Sequence, residues 1–390
     1  MLELSSEPIT GLYVHVPFCA QKCSYCAFFS EPSSGATIAR YVGALSRELE
    51  LVAADLRPRT IFFGGGTPSL LNLDQWEQTL GTMHRLGLLG AEEFTVECNP
   101  ATVSLDKARL LRSFGVNRIS MGVQSLDEAL LERLGRVHSR EMALRSFDLL
   151  RKAGFENVNL DLMFAIPGQT LETWRATLRE AASMGSEHLS SYEVIYEEDT
   201  ALYAQLHAGK FAVDEDLACR MYEELVEQAT RAGYHQYEVA NFARDRAPRL
   251  SAFETPTYAC RHNVNYWRGG SFYGLGPSAT SYVRGVRTKN WSNTQWYCEQ
   301  LEAGRRAIES REELSPEARA GETAAFGLRM PAGWPFEEFQ QTTGHDLRRE
   351  WAEEMNLLQQ QGWGRLTENR FNLTPQGLRF ADAAAQMFLR

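Results

Sequence analysis

Along the first 240 residues or so, short apolar runs rich in β-branched and aromatic side chains alternate with longer stretches of helical spacing. That alternation points to βα units around a parallel sheet. The predicted strands run from Leu12 to Pro17, Thr60 to Phe63, Glu93 to Glu97, Arg118 to Val123, Val158 to Phe164 and His188 to Ile195. Between and after them lie amphipathic stretches from Ile38 to Ala54, Leu73 to Leu88, Leu105 to Phe114, Arg140 to Ala153, Leu171 to Met184 and Asp214 to Ala232. Six units fall short of the eight that close a barrel, so the pattern alone allows an open partial barrel or a doubly wound sheet. Chemically capable residues stand at the C-terminal end of strand after strand: a cysteine cluster, the turn Gly64-Gly65-Gly66-Thr67-Pro68, Glu97, Gln124 and Asp161. Barrel enzymes build their sites on that face, which favours the partial barrel.

A chain of 390 residues has room for two or three domains. After about residue 245 the βα rhythm gives way to aromatic and glycine-rich text, and from about Leu301 the chain reads helical up to Gly364-Arg365-Leu366 and Arg370-Phe371-Asn372-Leu373. A helix, a short hairpin and a last helix suggest a small, mainly helical, winged-helix-like C-terminal domain. The expected division is therefore 1–245, a linking segment 246–300, and 301–390. Fifty acidic against 40 basic side chains give a net charge of -10, which argues against nucleic acid as a partner. The N-terminal MLELSSEPIT shows no secretory pattern and no long apolar window occurs, so a cytoplasmic protein that does not span a membrane is expected.

Of seven cysteines, Cys19, Cys23 and Cys26 crowd into one loop, while Cys98, Cys219, Cys260 and Cys298 are scattered and read as ordinary thiols. The spacing Cys19-x3-Cys23-x2-Cys26 lets three sulfurs converge on one inorganic centre. Three thiolates on a 4Fe-4S cluster leave one iron open to another ligand, which suits a catalytic cluster. The alternative is a zinc site completed by His15 or Cys98.

With its position directly after the first strand and an aromatic beside the last cysteine, this loop resembles that of the radical S-adenosylmethionine superfamily. The resemblance implies that the open iron chelates S-adenosylmethionine and that the reduced cluster can cleave it. It extends to Tyr13 before the loop, to Gly65, Gly66 and Thr67 after the second strand, and to Glu97, Gln124, Arg136 and Asp161 along the next three, all implied cofactor contacts. The glycine turn also has a local rationale, since backbone free of side chains can approach a ligand closely and expose amides to it.

Within the superfamily the text, including Ile166-Pro167-Gly168-Gln169-Thr170 and the terminal module, is similar to the oxygen-independent coproporphyrinogen III oxidase group. Phe28 stands where the oxidase has a fourth cysteine, and only 18 residues precede Cys19. Both departures fit that group's heme chaperone branch, as does His262-Asn263-Val264-Asn265-Tyr266-Trp267. The resemblance implies heme as cargo, His262 as its ligand, and acceptor hemoproteins, those of the respiratory chain included, with peripheral membrane contact by analogy. Tyr266 and Trp267 could supply apolar faces to a porphyrin. Whether the cofactor is cleaved stays open, as do the heme type, its mode of attachment and the oligomeric state. The competing expectations are radical decarboxylation of coproporphyrinogen III and a zinc scaffold.

Arg244, Arg246 and Arg249 read as a solvated loop, with contact to heme propionates or a membrane surface as the alternative, and the pair Glu197-Glu198 reads as a solvated loop edge. His15 reads either as a lumen residue near the cluster or as a satisfied core histidine.

Overall fold

The computed structural model describes residues 7–32, 34–249, 251 and 253–390. The first six residues, part of the stretch read for a targeting signal, lie outside the described residues. The chain begins β1 (Ile9–Val16), α1 (Gly35–Val52), β2 (Leu56–Gly65), α2 (Leu73–Arg85), β3 (Glu93–Cys98), α3 (Leu105–Ser113) and β4 (Arg118–Gln124). It continues with α4 (Glu128–Arg133), α5 (Arg140–Lys152), β5 (Val158–Phe164), α6 (Leu171–Ser183) and β6 (His188–Glu193). These six strands pair side by side in chain order, every pair parallel.

Alternate side chains of a strand point to opposite faces. On the helix-facing side stand Leu12, Val14, Ile61, Phe63, Phe94, Val96, Ile119 and Met121, packed against Tyr41 and Leu45 of α1, Trp76 and Leu80 of α2, Phe147 of α5 and Trp174 of α6. The helices start where side chains satisfy their first amides: Ser34 for α1, Asn72 with Gln75 in a reciprocal box for α2, Ser139 for α5, Thr170 for α6. Such caps contribute about 1 kcal/mol each.

The sheet does not close on itself. After α7 (Ala201–His207) and α8 (Glu215–Arg231), β7 (His235–Glu238) and β8 (Asn241–Ala243) extend the β6 edge antiparallel. After α9 (Arg261–Trp267), β9 (Phe272–Leu275) lies parallel to β1. Beyond it come β10 (Thr280–Val283), β11 (Val286–Asn290) and, following α10 (Thr294–Glu302), β12 (Ile308–Glu313), giving one open sheet of twelve strands among the described residues. The architecture is thus an open partial barrel, α/β as expected, widened at both edges. The stretch 246–300, expected as a linker, carries α9 and three of those strands, and β12 comes from beyond residue 301.

The rest forms a separate apolar cluster around Trp334, Phe339, Trp351, Phe371 and Phe388. Its helices α11 (Pro316–Gly327), α12 (Phe336–Thr343), α13 (Leu347–Glu350) and α14 (Ala352–Gln360) accompany a three-stranded antiparallel sheet of β13 (Trp334–Pro335), β14 (Gly364–Leu366) and β15 (Arg370–Leu373). Short helices α15 (Pro375–Arg379) and α16 (Ala381–Gln386) complete the winged-helix-like unit. Among the described residues no helix is long and apolar enough to cross a membrane.

Candidate functional site: a polar barrel lumen

The second face of strands β1 to β6 is polar. Strand register places Tyr13 beside Phe62, Phe62 beside Thr95, Thr95 beside Arg118, Ser120 beside Asn159 and Asn159 beside His188, with His15, Gly64, Glu97, Gly122 and Asp161 nearer the C-terminal mouth. All eight residues expected to contact S-adenosylmethionine, namely Tyr13, Gly65, Gly66, Thr67, Glu97, Gln124, Arg136 and Asp161, are half-buried. Their opposite-facing neighbours Leu12, Val14, Val96, Cys98, Val123 and Leu162 are buried. One set of residues stays half-buried on the polar face and the other fills the core.

The cysteine loop leaves β1 at this mouth. Glu31 N donates to Pro17 O at 2.7 Å, Ser24 N to Leu134 O at 2.9 Å and Leu202 N to Ser24 O at 2.9 Å, so the loop is clamped to its own base, to the end of α4 and to α7. Cys19, Cys23 and Cys26 are free, half-buried thiols. Thr67 Oγ1 lies 3.5 Å from Cys19 Sγ, and Arg136 Nη1 donates to Cys23 Sγ at 3.4 Å. Burial pushes the Cys26 thiol up. In a 4Fe-4S cluster each thiolate binds its own iron, so the three sulfurs need not meet at one point.

Neither proposed fourth zinc ligand joins them. His15 has both ring nitrogens occupied, by Tyr13 OH at 3.0 Å and Phe29 O at 2.9 Å, and thereby ties the cysteine loop to β1. Cys98 faces the opposite side of β3 from Glu97, and burial pushes its thiol up to about 12. Among the described residues no group of three or more His, Cys, Asp or Glu side chains is placed to hold a single metal ion.

The glycine turn is used differently from the sequence expectation. Gly66 N donates to Val16 O at 2.9 Å, Thr67 N to Phe18 O at 2.8 Å and Gly65 N to Glu97 Oε2 at 3.3 Å, so its amides are committed within the protein. What the glycines provide is closeness. Gly65 has φ of 104°, and a Cβ there would lie 2.4 Å from the His15 ring; one on Gly66 would lie 2.7 Å from Phe18 O. Gln124 also adopts a left-handed φ of 65°, at a register shift between β4 and β5 that re-aims its side chain.

Burial, with Asp161 beside it, pushes Glu97 up to about 8. Burial likewise pushes Asp161 up to about 6, against hydrogen bonds from Asn159 and Ser120 that favour its charged form. A pair of carboxyls held half-protonated in a lumen is a site for a cationic ligand, and S-adenosylmethionine carries a sulfonium and an ammonium. Three free thiols on one loop are a donor set that fits the cluster.

The opposite, N-terminal end of the lumen is closed by α9. Glu93 receives Arg261 N at 2.8 Å and His262 N at 3.0 Å, capping the helix with a carboxylate from β3. His262 is only 3% exposed, its ring stacked 5.4 Å from Phe62. Its Nδ1 meets Thr60 Oγ1 at 3.0 Å, while Nε2 is buried with no hydrogen-bond partner. Tyr266 stacks on Phe272 at 3.9 Å, and Trp267 packs near Phe326 and under Arg329. The motif's aromatics are therefore half-buried, each with one face taken by a neighbour within the protein. The structure separates this motif, on the floor, from the cysteines at the mouth. Arg118, Asn159, His188 and Glu93, which sequence reasoning did not single out, complete the floor; their signal was the inward parity of their strands. The three loop arginines are engaged locally: Arg244 lies over Tyr234, Arg246 over Tyr258, and Arg249 pairs with Asp245.

Residues 13–181 match the Radical SAM superfamily and residues 314–380 the HemN C-terminal domain. The solved coproporphyrinogen III oxidase HemN from Escherichia coli, described as a radical SAM enzyme, superposes with a TM-score of 0.83 over 99% of this chain and 91% of its own; at 22% identity that likeness establishes the fold. The heme chaperone HemW of Bacillus subtilis (strain 168) is 32% identical over 383 residues, 97% of this chain and 98% of the relative. The heme chaperone HemW of Lactococcus lactis subsp. lactis (strain IL1403) is 33% identical over 379 residues, 97% of this chain and 96% of the relative. Similarity of that extent and degree means that the chain belongs to the HemW family of radical S-adenosylmethionine proteins.

Proposed function

We propose that this protein binds heme and passes it to acceptor hemoproteins, with a 4Fe-4S cluster on Cys19, Cys23 and Cys26 and S-adenosylmethionine in the lumen above Glu97 and Asp161. The observation that carries the reading is the near-full-length similarity to proteins named heme chaperones. The cluster would supply a single electron at its open iron, to the cofactor bound there. The chain's own residues do the rest. Arg136 holds a cation against Cys23, Thr67 and the glycine turn bring backbone up to the cysteine loop, and Glu97 and Asp161 meet the cofactor's positive charge.

We assign His262 as the heme ligand. Burial pushes its imidazole down to about 3, so the ring is neutral at any working pH, and Nε2 is uncommitted to another group. Ligation requires α9 to lift from the floor, because the nitrogen is sealed beneath Tyr13 and Phe62 in the closed state. The acceptors would be respiratory-chain hemoproteins, met by peripheral contact at the membrane.

The test is an anaerobic heme titration of cluster-reconstituted protein followed by Soret absorption, beside His262→Ala. Saturation near one heme per chain, weakened or altered in the variant, is the expected result. Binding unchanged by the substitution would remove His262 and spare the function. Absence of saturable binding would overturn the chaperone reading. Formation of protoporphyrinogen at turnover from coproporphyrinogen III would replace it with the decarboxylase.

A further inference from the structure

A buried hydrogen-bond chain runs from the C-terminal unit to the cofactor carboxylate. Arg329 follows α11, within the region that matches the HemN C-terminal domain. Its Nε donates to Glu238 Oε1 at 2.9 Å, and Asn241 Nδ2 donates to Glu238 Oε2 at 2.7 Å. Ser190 Oγ lies 2.8 Å from Asn241 Oδ1 and 3.2 Å from Asn159 Oδ1. Asn159 Nδ2 donates to Asp161 Oδ1 at 2.7 Å.

The polarity of this chain is set at its outer end. Glu238 is 1% exposed, and a carboxyl so buried stays ionised only with a cation beside it. Arg329 is that cation, held in turn by Asp382 at 2.6 Å and lying over Trp267 at 5.1 Å. An ionised carboxylate only accepts, so Asn241 must turn its NH2 toward Glu238 and its carbonyl toward Ser190. The Ser190 hydroxyl has one proton and two acceptors within hydrogen-bond distance, Asn241 Oδ1 and Asn159 Oδ1, with Asp161 directly beside it in the strand register. While Asn241 takes that proton, Asp161 is left to Asn159 and Ser120, the latter at 3.1 Å.

We propose that Arg329 is a positioning residue for S-adenosylmethionine: through Glu238, Asn241, Ser190 and Asn159 it fixes how the Asp161 carboxylate is presented to the cofactor. Without the guanidinium, Glu238 loses the partner that fixes its carboxylate, the Asn241 amide is free to turn over, and the Ser190 proton can turn to its register neighbour Asp161. The carboxylate then meets the cofactor already serving one more donor. The consequence is that seating of the C-terminal unit on the barrel is felt at the cofactor site, without any contact between that unit and the cofactor. The inference rests on Asp161 being a cofactor contact.

The test is equilibrium dialysis of S-adenosylmethionine against anaerobically reconstituted full-length protein, with iron content and far-ultraviolet circular dichroism as controls. Arg329→Met is expected to weaken binding about tenfold, the scale on which partners of a ligating group act. Arg329→Lys, which restores a cation to Glu238, should recover most of that loss. Asp161→Asn should also weaken binding, and the double variant Arg329→Met with Asp161→Asn should bind no more weakly than Asp161→Asn alone, since both act through one carboxylate. Wild-type affinity in Arg329→Met, or losses that add in the double variant, would overturn the proposal while leaving the cofactor site intact. An Asp161→Asn variant that binds normally removes the contact and the proposal with it. Should Arg329→Met fail to fold, Glu238→Gln carries the same arm, because it removes the charge and keeps the side chain's shape.

Discussion

The mouth and the floor of the barrel are built from the same strands and the same inward parity, yet they are finished in opposite ways. At the mouth the residues expected to contact the cofactor are half-buried, the three thiols are free and half-buried, and Phe28 on the cysteine loop is 71% exposed. At the floor, Arg118, Asn159 and His188 are at most 2% exposed, and Glu93 is spent on capping α9. A polar residue on a barrel lumen therefore carries no function by its type. What decides is whether another element covers it, for a covered group must find its partners within the protein.

Three experiments would break or sharpen this contrast. Cys23→Ala should abolish stoichiometric uptake of iron and sulfide in anaerobic reconstitution, measured by metal and sulfide analysis. It should leave the unfolding free energy of the iron-free protein within about 0.5 kcal/mol; a large loss of stability would mean that the mouth, too, is structural. Glu93→Ala should do the reverse. It leaves two helix amides and the Arg118 charge without their carboxylate, and urea unfolding should show a loss of about 3 kcal/mol with little change in iron uptake.

The smallest effect concerns pH. Folded Glu97 holds its proton up to about 8, whereas the unfolded chain releases it near 4.5, so this contribution is full below 4.5 and is lost as pH rises through 8. Buried neutral histidines such as His262 act in the opposite sense, but only below their ordinary value of 6.5. Between pH 6.5 and 8.5 the cofactor-free protein should therefore lose about 2 °C in Tm, and Glu97→Gln should flatten the slope. A slope unchanged in the variant would place the titration elsewhere.

Much of this was legible beforehand, and where it was not the reason is physical. The six parallel strands announce themselves because the face packed under the helices demands apolar residues at one parity. β2 begins earlier than expected, at Leu56, because Arg57, Pro58 and Arg59 break the apolar text while still belonging to the strand. β11 and β12 escaped notice because they sit near or at the sheet's edge: Ile308–Glu313, reading IESREE, exposes five of its six side chains and leaves no apolar alternation to detect. The cysteine loop was readable since three thiols in eight residues need a shared reason. The opposite was true of His262. Its neighbours in sequence suggest an open aromatic surface, and only the fold reveals that Phe62 stacks on the His262 ring and Phe272 on Tyr266.

The pairing of β9 with β1 has a consequence in time. Gly11 lies opposite Phe272 and Val14 opposite Leu275, so one edge of the strand that carries the cysteine loop waits for a partner made about 260 residues later. At roughly 5–20 residues per second of synthesis, that edge stays open for on the order of 10–50 s on the ribosome. Until then the amides and carbonyls along that edge face water. The first part of the barrel to be translated is thus among the last to be enclosed.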